Sequence, residues 1–363
     1  MKAKTLRRFA AGAVALGVLV AACVGAAHVR LLQPPTPPRS LPSSPPLPPA
    51  AGRPAMQLGV DIDLSTRPGQ NVPAAAAADV AYVKSLHANA ISVSFPFFVR
   101  GGNGGAPVVV YASPATPTPA QLAIVARAAE RAGLYVTIRP LLGESGIGES
   151  RTQWRPTTPK AWFASYLRFL RPYAAMAQHA HIGGLFVGAE LTQFGSSPRW
   201  RRLDAALARV YKGTLLYAAN WSSIQAHPGG KIQVTIDAYP PRPGLPASAG
   251  QAQVTRAWMR YDRSLPAGVV ESEVGIDAVA GAYAIPYFHH WPAARLDPLI
   301  QVRWFTAACR AAIAEHLGGI YFWSIGFRTH LSGPTLMSQG AWAHSPAAQA
   351  ISACYAHAAQ GNR

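Results

Sequence analysis

The stretch Gly183-Gly184-Leu185-Phe186-Val187-Gly188-Ala189-Glu190 is apolar until it closes on an acid. A short apolar run bounded by turn residues reads as a strand buried on both faces, the kind found in parallel sheets. The form returns in Gly268-Val269-Val270-Glu271-Ser272-Glu273, followed by Val274-Gly275. Acids are scarce here: 15 Asp plus Glu stand against 33 Lys plus Arg, and only seven of the acids are Glu. Glutamates placed at two such strand ends point to a fold that gathers side chains there.

Outward from these runs the same rhythm covers the body of the chain. Strands are expected at 57–63, 89–95, 134–140, 184–190, 214–219, 232–237, 269–273 and 319–324. Helices are expected at 73–87, 119–132, 159–179, 199–211, 250–262 and 298–316, with a last one near 346–358. The 220–230 connection is too short for more than a turn or two. Thr118-Pro119-Ala120-Gln121 offers an N-cap, a proline at the first helical position and a capping-box partner; Thr158-Pro159 repeats the device. Trp162, Tyr166 and Phe169 follow at helical spacing and give that helix one apolar face. A doubly wound sheet would carry a Gly-rich phosphate loop after its first strand, where this chain reads Asp61-Ile62-Asp63-Leu64-Ser65-Thr66. The expectation is therefore an α/β fold, a single (β/α)8 TIM barrel over 56–363, with catalytic side chains at the C-terminal strand ends.

The N-terminus is of another kind. Lys2, Lys4, Arg7 and Arg8 precede an apolar run from Phe9 to Ala27, the form of a signal peptide or membrane anchor over residues 1–30. Leu19-Val20-Ala21-Ala22-Cys23 resembles a lipobox, so lipidation at Cys23, an uncleaved anchor and simple secretion all stay open. Residues 31–55 form a Pro-rich linker: ten of the 21 residues from Pro34 to Pro54 are proline, which favours extended polyproline geometry. Anchor, spacer and barrel in that order imply an exported protein, tethered to a membrane or secreted. Cys309 and Cys354 fall on the last two expected helices, as a disulfide or as two buried thiols.

The net charge of +18 is partly terminal. Beyond residue 55 the chain keeps 26 basic and 15 acidic residues, a net of +11, mostly as scattered arginines. No nucleic-acid motif is present, so an anionic polysaccharide or a membrane surface suits the charge better. His289-His290 are adjacent and do not converge as metal ligands do; neither metal nor cofactor is expected.

The long loops follow strands: 96–117 with Gly101, Gly102, Gly104 and Gly105; 141–157 with Glu144, Glu149 and Trp154; 274–297 with Tyr283, Tyr287, His289, His290 and Trp291. Aromatic loops over a barrel mouth suit sugar rings. Strands four and seven lie across a barrel from one another, so Glu190 and Glu273 can face each other over a bound sugar, as glycoside hydrolysis requires. Glu271, two positions earlier, would share the face of Glu273 on a regular strand. It is an alternative nucleophile, a buried paired carboxylate, or a residue displaced by a bulge. Asp61 and Asp63 end strand one as sugar-binding or rim residues. Arg139 ends strand three, where it would anchor Glu190 or an anionic substituent; Asn220 and Trp221 would line the cleft.

In these features the chain resembles the large clan of retaining glycosidases, and within it glycoside hydrolase family 113, which contains β-mannanases. The resemblance spans roughly residues 56–330. It rests on Gly-Val-Asp-Ile (59–62), Val-Gly-Ala-Glu-Leu (187–191), Ile-Asp-Ala-Tyr-Pro (236–240), Glu-Val-Gly-Ile (273–276) and Ile-Tyr-Phe-Trp-Ser (320–324). It implies that Glu190 is the acid/base and Glu273 the nucleophile. It further implies that Tyr239 hydrogen-bonds the nucleophile, that Trp323 floors the −1 sugar, and that Asp237 lies among the substrate-binding residues. The chain departs at Ala189, where many clan members carry Asn to hold the sugar 2-hydroxyl; Asn220 or Arg139 would have to substitute.

The expected function is a retaining, endo-acting hydrolase of a β-linked polysaccharide, mannan-like or an exopolysaccharide, working as a monomer. The rivals are a catalytically inactive glycan-binding barrel and a glycan-remodelling transglycosylase at the cell envelope.

Overall fold

The computed structural model describes residues 52–361, apart from 103–105, 243, 292–293, 329, 332, 336–337 and 339. The expected signal or anchor, Cys23, nearly all of the linker, Gly104 and Gly105 lie outside the described residues. Among the described residues no helix is long and apolar enough to cross a membrane.

Eight parallel strands close on themselves: β1 (Gln57–Asp63), β2 (Ala90–Arg100), β3 (Tyr135–Leu142), β4 (Gly184–Ala189), β5 (Thr214–Asn220), β6 (Gln233–Asp237), β7 (Val270–Val274) and β8 (Gly319–Gly326). The ring closes where β1 pairs both β2, at Gly59↔Ala90, and β8, at Gln57↔Gly319. A short strand, Val109–Tyr111, pairs antiparallel with the outer end of β2. It extends β2 beyond its expected end.

Among the described residues seven α-helices pack outside: α1 (Val72–Ser85), α2 (Pro119–Arg131), α3 (Pro159–His179), α4 (Arg199–Leu207), α5 (Gln251–Asp262), α6 (Pro298–Ala314) and α7 (Pro346–Gly361). No helix lies between β5 and β6, as the shortness of that connection implied. Local chemistry starts several of them. Thr118 and Gln121 form the capping box of α2, and Asn71 accepts from the Ala74 N–H to open α1. Thr158 departs from expectation. Its hydroxyl does not cap α3; it accepts from the Val108 N–H at 2.7 Å and pins the β2–α2 loop instead.

The α3 face is core. Trp162 and Tyr166 are fully buried and stacked at 4.6 Å between ring centroids. Across the barrel, the Tyr355 hydroxyl of α7 donates to the carbonyls of Gly59 and Ile320, fastening the closing seam of β1 and β8. Cys309 of α6 and Cys354 of α7 are joined in a disulfide, with Cα atoms 6.5 Å apart.

Candidate active site

Both glutamates are aimed by irregularities of the strands that carry them. In β4 the register against β5 shifts between Phe186 and Gly188, a bulge. The chain then places Glu190 in the left-handed region, at φ 55°, just past the last strand residue. Four other described non-glycine residues have positive φ, and all are histidines; Glu190 is the one at a strand end. Such a backbone costs on the order of 1 kcal/mol and is found where geometry matters to a site. The result is a carboxyl whose Oε1 accepts from Asn220 Nδ2 at 2.6 Å and whose Oε2 lies 3.6 Å from Arg151 Nε.

In β7 the register against β8 shifts between Glu271 and Val274. Ser272 faces inward, donating to Asp237 Oδ1 at 2.9 Å, and the bulge turns Glu273 to the site as well. Its Oε1 accepts from the Tyr239 hydroxyl at 2.5 Å, and its Oε2 lies 2.6 Å from Arg139 Nη2. Both oxygens of Glu273 are thus held, one by Tyr239 just past β6 and the other by Arg139 of β3. Bulges are common beside active sites because they re-aim a side chain.

Arg139 is the hub beneath. Fully buried, it pairs with Asp237 and Glu273, lies 3.7 Å from Asp61 and donates to the Ser272 carbonyl at 3.2 Å. The Phe186 and Trp323 rings stand 5.5 and 5.7 Å from its guanidinium carbon. Burial alone would weaken its proton, but Asp237, Glu273, Asp61 and Glu190 raise its pKa, so the cation is permanent. One cation cannot balance every acid around it. Burial pushes Asp61 to about 7, against the pull of Arg139 and the Ser94 hydroxyl that donates to it. Asp237 is likewise pushed up by burial, with Arg139 and Ser272 opposing.

Glu190 is raised above the usual carboxyl range, first by burial and further by the charge of Glu273. Arg151, the Asn220 amide and Arg139 pull the other way. The two glutamates therefore sit in unlike settings: one clamped by a tyrosine and an arginine, the other disposed to keep a proton.

The sequence-chosen residues sort by depth. Tyr239 and Trp323 reach the site, Tyr239 touching Glu273 and the half-buried Trp323 packing beside Arg139. Asp61, Arg139 and Asp237 do not line a cleft; each is fully buried and engaged below Glu273. Asn220 uses its amide on Glu190, while its carbonyl oxygen accepts from the N–H and hydroxyl of Ser222. Trp221 stacks on Tyr287 at 5.9 Å, forming an aromatic wall next to Asn220.

Among the loop aromatics, Trp154 and Tyr283 are core instead. Trp154 packs on Trp162 and Phe194, and Tyr283 on Trp304. Glu271 is not in the site: it is fully buried, and its neighbour is Asp262 of α5. Arg151, held by Glu144, was not singled out from the sequence, because a lone loop arginine carries no motif. Ser272 was not singled out either, because a lone serine between two glutamates carries no motif. Among the described residues no cluster of His, Cys, Asp or Glu is arranged to hold a metal.

An eight-stranded barrel with one glutamate just past β4 and another in β7, close enough for the charge of Glu273 to act on Glu190, has the build of a glycoside hydrolase. The chain belongs to Glycoside Hydrolase Family 113, whose family model matches residues 64–331. Its fold is similar to that of the family 113 β-mannanase of Alicyclobacillus acidocaldarius, solved in complex with ManMIm. That match has a TM-score of 0.65 and 18% identity, covering 85% of this chain and 100% of the other. A family 113 β-1,4-mannanase complex matches with a TM-score of 0.64 and 15% identity over 83% of this chain and 99% of its own. The endo-1,4-β-mannanase of Rhizomucor miehei matches with a TM-score of 0.53 and 11% identity, over 85% and 96%. No curated protein matches the sequence.

Proposed function

We propose that this chain is a retaining β-glycoside hydrolase acting inside a β-linked, mannan-like polysaccharide or exopolysaccharide, with Glu273 as nucleophile and Glu190 as acid/base. The observation that carries the reading is the contrast between the two carboxyls. Glu273 has both oxygens held in place, by Tyr239 and Arg139. Glu190 is inclined by burial and by Glu273 to hold a proton. Paired carboxyls in settings this unlike divide the roles of acid and nucleophile.

In the first step a Glu273 oxygen attacks the anomeric carbon as the glycosidic C–O bond breaks. Glu190 gives its proton to the departing oxygen, leaving a glycosyl ester on Glu273. In the second, the Glu190 carboxylate takes a proton from water, the water oxygen attacks the same carbon, and the ester bond breaks. Glu190 is then protonated again and Glu273 is free. Asn220 and Arg151 stabilise the carboxylate that Glu190 becomes between the steps. Trp323 offers its face to the sugar held over Glu273, and the stacked Trp221 and Tyr287 offer a second aromatic surface next to Asn220. Internal cleavage is supported by the endo-1,4-β-mannanase among the structural relatives.

An exported, membrane-tethered or secreted monomer is the matching location. A disulfide between Cys309 and Cys354 fits an oxidising compartment.

The test is to incubate the full chain with β-mannan, β-glucan and acidic exopolysaccharides and to measure new reducing ends, product size and anomeric configuration. Short oligosaccharides with retained configuration are expected, and both E190A and E273A should stop their release from natural polysaccharide. Binding with no release from any polymer would favour the glycan-binding barrel, and longer rather than shorter products the transglycosylase.

A further inference from the structure

Arg151 is more than a support for Glu190. It lies on the loop between β3 and α3, which Trp154 anchors by packing between Trp162 and Phe194, and which Gln193 of the next loop grips through the Thr152 carbonyl at 3.2 Å. Its Nε is 3.2 Å from Glu144 Oε1 and 3.6 Å from Glu190 Oε2, and its backbone N–H also donates to Glu144. These contacts use one edge of the guanidinium. The two terminal amino groups have no hydrogen-bond partner among the described residues, and 21% of the side chain is open to solvent.

Glu190 Oε1 is taken by Asn220, so Oε2, the oxygen nearer Arg151, is the one free to pass a proton to a leaving group. A cationic fork with free donors therefore stands beside the position of the departing oxygen. Glu144 pairs with it through Nε and the backbone N–H, and that contact leaves the terminal amino groups open. His289, 52% exposed, stands on the β7–α6 loop beside Asp277. Burial works against its proton, but the Asp277 carboxylate 3.1 Å away raises its pKa overall.

We propose that the leaving-group side of the cleft takes a sugar bearing a carboxylate, which Arg151 binds through its terminal amino groups. The inference rests on Glu190 being the acid/base. A planar guanidinium with free donors matches a carboxylate in two-point geometry.

Binding of that anion also changes the acid. Glu190 is surrounded by Arg151 and Glu144 from the β3–α3 loop, Arg139 from β3, Tyr217 from β5, Asp237 from β6, Tyr239 just past it and Glu273 from β7. Among these, Arg151 is the strongest charge pulling its pKa down. A carboxylate paired with Arg151 offsets that pull, so Glu190 keeps its proton to higher pH with the acidic substrate than with a neutral one.

The experiment uses two aryl β-mannobiosides whose leaving phenols carry either a para carboxylate or a para carboxamide. Affinity for the E273Q full chain, which does not turn them over, is measured by calorimetry at low and high salt. The carboxylate should bind about tenfold tighter, from one charge-assisted contact, with the gap closing at high salt. R151Q added to E273Q should erase the preference and R151K should keep part of it, with thermal melting checked for each. With otherwise unmodified chains, the alkaline limb of the rate profile should lie higher for the carboxylate substrate, and R151Q should bring the two limbs together. Equal affinities, no measurable binding of either glycoside, or a preference untouched by R151Q would each overturn the proposal. Failure of the hydrolase reading gives a different signature: selective binding with no phenol released by the unmodified chain.

Discussion

Glu271 and Glu273 are two residues apart on one strand and face opposite sides of the barrel wall. The bulge between Glu271 and Val274 separates them. Glu273 meets Tyr239 and Arg139 over the mouth, while Glu271 is sealed against α5 beside Asp262. Substitution should split their effects. E273Q is expected to lower turnover by about a thousandfold or more with melting little changed. E271Q should leave turnover within a few-fold.

What E271Q should change is stability against pH. Burial pushes both Glu271 and Asp262 well above the ordinary carboxyl range, and the charge of Asp262 adds to it at Glu271. The folded chain thus holds these protons more tightly than the unfolded chain. Stability falls as pH rises from about 4.5, the ordinary Glu value, through the raised folded values. E271Q removes one of the two titrating groups, so its melting temperature should overtake that of the unsubstituted chain as pH goes from 4 to 8. Melting curves across that range check it; parallel curves would mean the pair is not coupled to folding.

The strand and helix order was legible because apolar runs of strand length alternate with helical periodicity, and capping residues mark the helix starts. Gln57–Asp63 matches its expected bounds, and Pro159–His179 does too. The bulges were not legible, since an extra residue in a strand leaves no compositional trace. Period-two counting alone would put Glu271 on the face of Glu273; of the alternatives left open for it, the strand holds a buried carboxylate beside Asp262, set apart by a bulge. Loop aromatics misled for a related reason: composition cannot tell Trp154, packed under its loop, from a ring offered to a sugar. The strand Val109–Tyr111 did have a signal, the β-branched run Val108-Val109-Val110 before Tyr111.

Asn220 donates to Glu190 and stabilises its ionised form. N220A should therefore raise the Glu190 pKa, moving the alkaline limb of kcat/KM to higher pH. It should also lower kcat by about tenfold, the cost of one charge-assisted hydrogen bond to the carboxylate. A pH–rate profile of a slow natural substrate reads both. A fall in kcat with an unmoved limb would mean that Asn220 serves the sugar instead.

The disulfide between Cys309 and Cys354 ties α6 to α7 across a sequence separation of 45 residues, enclosing β8 with Trp323. Loop-closure entropy for a ring of that size is about 4 kcal/mol, and removal of such links typically costs about 2–4 kcal/mol. The double variant C309A/C354A should melt about 5–10 °C lower, given some 2–4 °C per kcal/mol for a domain of this order. Its kcat at 25 °C should hold, because the link lies on the outer helical layer. Loss of activity without loss of melting temperature would place the link in control of Trp323.

Ala189 is the residue by which this barrel departs from its clan, and its surroundings make the departure testable. Its methyl group is buried with Phe186, Leu216 and Ala218, and the partly buried Leu141 packs against the same cluster. An asparagine there would bring an amide into apolar company. The polar groups nearby are engaged: Arg139 with Asp237 and Glu273, and Asn220 with Glu190 and Ser222. An amide left without partners costs about 1–3 kcal/mol. A189N should therefore lower the melting temperature by a few degrees and leave kcat/KM unchanged or reduced. The opposite result, an unchanged melting temperature with kcat/KM raised tenfold or more, would show that the amide reaches the sugar. In that case the smaller residue limits transition-state binding in this chain, and the apolar cluster around it can open to admit a donor.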